Sequence, residues 1–123
     1  MSNLALRALR GLGVFSLTRA LSASMPRILM YHDFCGLNEA AEDSINIEDL
    51  RRQFAYLRRN FRVVPLLQLS DELRSGASLP KHTVAVTIDD GRRNCYEFLF
   101  PLLKEFELPA TFFVVSAFIR GED

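Results

Sequence analysis

The sequence lacks a charge excess of either sign and lacks long apolar runs, and each absence excludes a class of protein. Fifteen Lys and Arg residues balance fifteen Asp and Glu residues, so the formal net charge is zero. A nucleic-acid-binding domain commonly carries a basic excess that displaces counterions from phosphates, so we expect no nucleic-acid partner. No apolar run approaches the roughly 18 residues that a membrane-spanning helix needs, which excludes a bundle of such helices.

Cysteine is also scarce. Cys35 and Cys95 are the only two, they lie far apart in the sequence, and neither belongs to a CxxC pair. This excludes a disulfide framework and gives no sign of a cysteine zinc site. We therefore expect two free thiols, buried or half-buried.

What the chain does contain is enough apolar residues to build one core. Its 123 residues match the length of one small domain, with 49% hydrophobic and 24% charged residues. These are ordinary values for a globular protein, and a disordered chain would have too little apolar surface to offset its ordering entropy.

The N-terminal segment, residues 1–24, differs from the rest because it holds three arginines and no acid. Its apolar residues surround a helical wheel, so we expect a helix that packs on the domain or frays, with weak membrane-surface contact as an alternative. A secretory signal is disfavoured because the apolar stretch 11–17 is short, holds two glycines and is followed by Arg19. We therefore expect a cytoplasmic or membrane-peripheral protein rather than a secreted one.

Strand-like and helix-like segments alternate after residue 25. Strands are predicted at 27–31, 61–64, 83–88 and 110–115, and helices from a cap at Asn46 to Phe61, at 65–73 and at 94–106. This alternation predicts parallel βαβ units of an α/β fold. The nearly continuous apolar segment 83–88 is typical of a strand covered on both faces. We expect residues 33–46 to form a polar loop and Pro101 to kink its helix.

Polar residues follow three of the predicted strands. His32 follows the first, Asp89-Asp90-Gly91 the third and Ser116 the fourth. Ligands collect at the carboxyl ends of parallel strands, and two adjacent carboxylates are costly to desolvate unless a cation relieves their repulsion. One carboxylate could then bind a metal while its neighbour takes a proton from water. The alternative is an ordinary turn in which Asp90-Gly91 forms the bend, and the residue types leave both open.

A metal site commonly takes three protein ligands. His82 cannot join Asp89 and Asp90, because seven residues of strand place it about 23 Å away. His32 lies at the correct end of its own strand, and Cys35 is a remote candidate. The visible ligand set is therefore incomplete.

Several motifs in order carry a resemblance to a known family. The segment TIDDGRRNCYEFLFPLLKEFELPATFFV, which begins at Thr87, and the upstream ILMYHDF resemble the first motifs of the polysaccharide deacetylase family, also called the NodB-homology domain or carbohydrate esterase family 4. The resemblance covers residues 28–119. It identifies residues 25–123 as the N-terminal part of such a domain, with the core motif region at 83–123.

The resemblance implies a fold, an activity and residue roles. The fold is an incomplete distorted (β/α) barrel of parallel strands, about its first half. The activity is metal-dependent deacetylation of an N-acetylated carbohydrate polymer, which hydrolyses a non-peptide C–N amide bond with a divalent metal, usually zinc. Asp89 maps to the general base and Asp90 to a metal ligand, while Tyr31 and His32 lie beside the site.

The chain departs from the family pattern in one respect. The pair of histidines, four residues apart, that completes the family's metal site is absent, since the only histidines are His32 and His82. The chain has about half of a barrel's ~250 residues, and its last strand is followed by little chain. We therefore expect the N-terminal part of a deacetylase, inactive by itself, whose last strand has no helix after it. The alternative is a non-catalytic half-barrel remnant or a carbohydrate-binding piece. Aspartate-based phosphotransfer is set aside because its motif places one residue between the two acids, whereas Asp89 and Asp90 are adjacent.

Overall fold

The computed structural model describes residues 22–37 and 44–121, so most of the predicted segment 1–24 lies outside the described residues. The strands are β1 Arg27–Tyr31, β2 Phe34–Cys35, β3 Ile45–Asn46, β4 Arg62–Val63, β5 Thr83–Ile88 and β6 Thr111–Phe112. The helices are α1 Ile47–Asn60, α2 Leu66–Arg74, the π-helix Cys95–Leu99, α3 Phe100–Glu105 and α4 Ser116–Arg120. No helix within the described ranges is long and apolar enough to cross a membrane.

Strand β5 is the centre of a four-stranded parallel sheet. β1 pairs with it from Arg27↔Val84 to Tyr31↔Ile88 and occupies one edge. β4 pairs near the start of β5 and β6 near its end, so these two share the other edge. The predicted α/β class with parallel strands is confirmed, and β1 and β5 have the predicted bounds.

Helix α1 covers one face of this sheet. The Asn46 side chain accepts a hydrogen bond from the Glu48 backbone N–H at 2.8 Å, which caps the helix as predicted. Leu50, Phe54 and Leu57 are buried at alternating steps of four and three residues along one side of α1. They pack in the main core with residues of β1, β5, the π-helix and α3: Tyr31, Val84, Val86, Ile88, Leu99, Leu102 and Leu103.

The opposite face of the sheet is only partly covered. Val64 and Leu69 pack on Ala85 beneath α2. All six residues of β5 are buried, which confirms a strand covered on both faces. Neighbouring β1 is different, because Ile28 and Met30 on this face are 57% and 68% exposed.

Two sequence-based predictions are wrong near residues 110–120. Of the predicted strand 110–115 only Thr111–Phe112 is a strand, although the Phe113 and Val115 N–H groups beyond it still donate to the carbonyls of Ile88 and Asp90 at 2.8 and 3.4 Å. A helix does follow this strand, namely α4. The polar loop predicted at 33–46 is also partly wrong, since the short strands β2 and β3 pair in parallel within it.

Pro101 disturbs its helix by widening the preceding turn. Proline has no N–H, so the carbonyl of Glu97 loses its usual α-helical donor. In the turn before Pro101, the Phe100 N–H donates to the carbonyl of Cys95, five residues earlier rather than the four of an α-helix. Cys95–Leu99 therefore form a π-helix. Cys95 and Cys35 are both free and buried, as predicted.

Candidate active site

The register of β1 and β5 brings two chain segments to one edge of the sheet. Tyr31 is level with Ile88, and the Asp89 N–H donates to the Tyr31 carbonyl at 3.0 Å. His32 and Asp90, the residues that continue each segment, therefore meet beyond the carboxyl ends of the strands. This is the location that strand order predicts for ligand binding in parallel sheets.

Asp90 is the residue at which charged groups converge. Its Oδ2 lies 2.9 Å from Nε2 of His32 and 3.4 Å from Nε of Arg92. The side chains are partly open to solvent, with 50% of His32 and 33% of Asp90 exposed. A ligand can therefore reach this carboxylate, and the His32 imidazole and the Arg92 guanidinium already face it.

The turn after β5 has a backbone that few residues adopt. Asp90 and Gly91 have φ values of 66° and 67°, in the left-handed region, where aspartate is tolerated and glycine is unstrained. A Cβ on Gly91 would lie 2.6 Å from Cγ1 of Val114, so the chain passes here at close range. The tight Asp-Gly bend of the turn interpretation is thus present, and it presents the Asp90 carboxylate to His32.

Asp89 and Tyr31, the other predicted site residues, lie on the strand side of this turn. Asp89 is half-buried directly after β5. Tyr31 lies in the core, where its ring packs edge-on against Phe54 and its hydroxyl donates to Oε1 of Gln53 at 2.9 Å. Burial raises the pKa of the Tyr31 hydroxyl. The roles assigned to both residues stay predictions.

The side-chain nitrogen and oxygen atoms at this edge fit part of a divalent-metal site. An imidazole nitrogen and a carboxylate oxygen are both ligands that zinc accepts, and His32 and Asp90 present one of each. Within residues 22–37 and 44–121 no group of three or more His, Cys, Asp or Glu residues could hold a metal ion. His82 lies at the other end of β5, where its carbonyl accepts from the Arg62 N–H.

Sequence reasoning missed a polar cluster beside the site, made of Asp33, Ser44 and Asn94. The Asp33 carboxylate accepts hydrogen bonds from the Asn94 amide and, at 2.8 Å, from the Ser44 hydroxyl. The hydrogen bond from Asn94, and after it the weaker effect of the bond from Ser44, holds the pKa of Asp33 below its usual value. The position of Asp33 directly after His32 is the one sequence signal that could have drawn attention to it.

The segment that contains this turn matches a known family. The family profile described as polysaccharide deacetylase matches residues 76–122. The chain is also similar to the poly-β-1,6-N-acetyl-D-glucosamine N-deacetylase of Escherichia coli strain K12, with 36% identity over 86 residues. That match covers 67% of this chain and 13% of the relative.

Solved structures show the same relationship. A de-N-acetylase from Aggregatibacter actinomycetemcomitans superposes with a TM-score of 0.66 at 25% identity, over 77% of this chain and 39% of that one. IcaB from Ammonifex degensii gives 0.65 at 32% identity, over 72% and 37%. The Streptococcus pyogenes deacetylase PplD gives 0.69 at 21% identity, over 77% and 44%, and this likeness concerns the fold alone. The chain thus spans less than half of each of these relatives.

Proposed function

We propose that the chain contributes to deacetylation of an N-acetylated carbohydrate polymer, because residues 76–122 match the polysaccharide deacetylase family. The observation that carries the proposal is the Asp89-Asp90 pair at the carboxyl end of β5, which lies inside the matched region. His32 lies outside that region in sequence, but its Nε2 is 2.9 Å from Oδ2 of Asp90. The name of the Escherichia coli relative favours a polymer of N-acetylglucosamine as the substrate class.

In the proposed reaction, water adds to the carbonyl carbon of the acetamide and the C–N bond breaks. The products are acetate and a free amino group on the sugar. Asp89 serves as general base, because its carboxylate can accept the proton of the attacking water, and this proton ends on the nitrogen as the C–N bond breaks. Asp90, with His32 beside it, would hold a divalent cation, with zinc favoured by the imidazole and carboxylate donors. When bound, such an ion polarises the carbonyl oxygen and makes water more acidic.

The described strands are proposed to be the first part of a distorted (β/α) barrel. Two features support this: the chain spans 37–39% of two solved deacetylase chains, and one face of β1 exposes Ile28 and Met30. In a barrel that face would line the interior, and further strands would bring the remaining metal ligands. Residues 25–123 would form this part, in a cytoplasmic or membrane-peripheral protein, and weak contact of the basic segment 1–24 with a membrane surface stays an alternative.

The test of the base role compares two carboxylates in the longest polypeptide that carries this sequence. Asp89→Asn keeps the shape of the side chain and removes the proton acceptor, so kcat for acetate release from N-acetylglucosamine oligomers should fall about 10²–10⁴-fold. Zinc content should stay at the parent level. Asp71→Asn, on the exposed side of α2, is the control and should keep full activity. Unchanged turnover in Asp89→Asn would remove Asp89 from the mechanism.

The second candidate is a carbohydrate-binding piece without activity. It is favoured by the two-donor site, since His32 and Asp90 stand without a third ligand among the described residues. Titration calorimetry of the 123-residue chain with zinc tests this two-donor site. With two donors we expect zinc to bind no more tightly than about micromolar, about −8 kcal/mol. Oligosaccharide binding without acetate release in the longest polypeptide would favour the binding piece.

A further inference from the structure

We propose that Asp33 is a positioning residue, which joins the segment after β1 to the segment after β5 and thereby directs His32 toward Asp90. This inference rests on the proposed function, because it concerns the same site. Its basis is one carboxylate with two partners on different segments. One oxygen of Asp33 accepts from the Asn94 amide and the other from the Ser44 hydroxyl.

Backbone contacts reinforce the same junction. The Asn94 amide also donates to the carbonyl of Phe34 at 3.0 Å, so Asn94 bonds both the side chain of Asp33 and the backbone next to it. On the other side, the Ile45 N–H donates to the Asp33 carbonyl at 3.0 Å. Three chain segments, around residues 33, 44 and 94, therefore meet at Asp33.

Among the described residues two side-chain contacts join the segments after β1 and β5, besides the bond from Asn94 to the Phe34 carbonyl, and the contact through Asp33 is the less exposed of the two. The His32–Asp90 contact is open, with half of the His32 side chain exposed. Asp33 and Asn94, one and four residues further along their segments, are both partly buried. Tyr31 is held by β5 and Asp33 by Asn94, so the backbone of His32 is fixed on both sides. An exposed imidazole with little packing of its own takes its orientation from this backbone.

The geometry distinguishes the two arms of Asp33. Loss of the Ser44 arm loosens the segment at residues 44–46, but the Asn94 arm still joins the segments that carry His32 and Asp90. Loss of the Asn94 arm leaves only the bond from Asn94 to the Phe34 carbonyl and the open His32–Asp90 contact between those two segments. Asparagine at position 33 can keep both arms, because its carbonyl oxygen accepts from Asn94 and its amide donates to the Ser44 oxygen.

The experiment measures the contact between His32 and Asp90 directly. At one fixed pH, the ¹⁵N chemical shift of His32 Nε2 is recorded for the parent chain and for Asp90→Gly, which removes the partner without straining the left-handed backbone. Asp33→Ala should move this shift at least half of the way toward the Asp90→Gly value. Ser44→Ala and Asp33→Asn should stay near the parent, as should the exposed control Asp71→Ala.

Hydrogen exchange gives a second readout on the same samples. In Asp33→Ala the amides of residues 90–94 should exchange about tenfold faster, while those of β5 keep the parent rate, because the change opens one loop and not the core. Asn94→Ala, which removes the same link from the other side, should repeat both results and serves if Asp33→Ala does not fold. A parent-like His32 shift in the Ala variants would overturn the inference. So would accelerated exchange throughout β5, which is the mark of a purely structural role.

Zinc titration separates this inference from the proposed function. If zinc binds the parent and binds Asp33→Ala about tenfold more weakly, with Asp33→Asn unchanged, both proposals are supported. If zinc binds no variant while the His32 shift moves as expected, the positioning role of Asp33 stands and the metal role of His32 and Asp90 in this chain falls.

Discussion

The segments on the two edges of β5, residues 27–31 and 110–115, are both apolar and β-prone, yet they form strands of different lengths. On one edge β1 pairs over its full length, from Arg27↔Val84 to Tyr31↔Ile88. On the other edge the strand β6 spans only Thr111–Phe112, although the apolar run continues to Val115 and the Phe113 and Val115 N–H groups still donate to the Ile88 and Asp90 carbonyls. Both segments are rich in apolar and β-prone residues, so local preference for a strand does not explain the difference.

Packing and the available edge explain it. On the β1 side, the Tyr31 ring meets Phe54 of α1 at 5.9 Å between centroids, and its hydroxyl is bonded to Gln53. On the β6 side, the four residues Phe112 to Val115 are 38–53% exposed. An apolar run therefore becomes a long strand only where a neighbouring edge extends beside it and a helix covers one of its faces.

The largest expected effect comes from removing the packing on the β1 side. Phe54→Ala empties the fully buried position under Tyr31 and should lower the free energy of unfolding by about 3–5 kcal/mol. The matched change on the β6 side, Phe113→Ala at a 52% exposed position, should stay within about 0.5 kcal/mol of the parent. Chemical denaturation measures both. Equal losses would contradict the view that one edge is packed and the other open.

A smaller effect is expected where the residues after β6 pass over the turn after β5. Gly91→Ala strains a backbone with φ of +67° and brings a Cβ within 2.6 Å of Val114 Cγ1. Gly76→Ala has the same backbone strain at φ +69°, but nothing lies within 4 Å. We expect a loss of about 1–2 kcal/mol for Gly76→Ala and about 1–3 kcal/mol more for Gly91→Ala.

The double variant Gly91→Ala/Val114→Ala tests the cause of that difference. If the close approach to Val114 is responsible, truncation of Val114 should return the cost of Gly91→Ala to that of Gly76→Ala in thermal or chemical unfolding. An unchanged cost would assign the whole effect to the backbone.

The smallest effect concerns β4, which shares the edge of β5 with β6. Arg62 of β4 donates to both carboxylate oxygens of Glu72 in α2 at 2.7 and 2.8 Å, and Gln68 also donates to Glu72. The Arg62 hydrogen bonds, followed by that of Gln68, lower the pKa of Glu72 from 4.5 to about 2. The stabilisation is therefore fully present above about pH 4.5 and is lost as the pH falls toward 2.

Glu72→Gln should accordingly lower stability slightly at pH 6, and the difference from the parent should shrink as the pH falls from about 4.5 through 2. Unfolding curves at a series of pH values measure the convergence. Arg62→Gln is the matched variant, and the double variant should cost no more than either single one, because both remove the same pair. A gap between Glu72→Gln and parent that is as large at pH 2 as at pH 6 would show that the pair is not its cause.

Local patterns in the sequence predict much of the sheet and part of the site. The bounds of β1 and β5, the Asn46 cap of α1 and the location of His32, Asp89 and Asp90 at one edge follow from periodicity and strand order. These features depend on residues close together in the chain, or on the rule that parallel strands end at the same edge.

Contacts between distant residues were not predicted. Asn94 bonds Asp33 across 61 positions, and no local pattern announces such a pair. The pairing of β2 with β3 depends on a similar junction, where the Ile45 N–H meets the Asp33 carbonyl. The shortened β6 follows from where β5 ends, which is a property of another segment.

The sequence by itself determined the parallel α/β class, the strand that is covered on both faces and the pair of carboxylates at its end, because periodicity, capping and strand order depend on neighbouring residues. Only the tertiary structure decided that the imidazole of His32 reaches Asp90, that Tyr31 turns into the core and that Asp33 joins three segments. The physical reason is that these contacts depend on the register of two strands far apart in sequence and on which of their faces a helix covers.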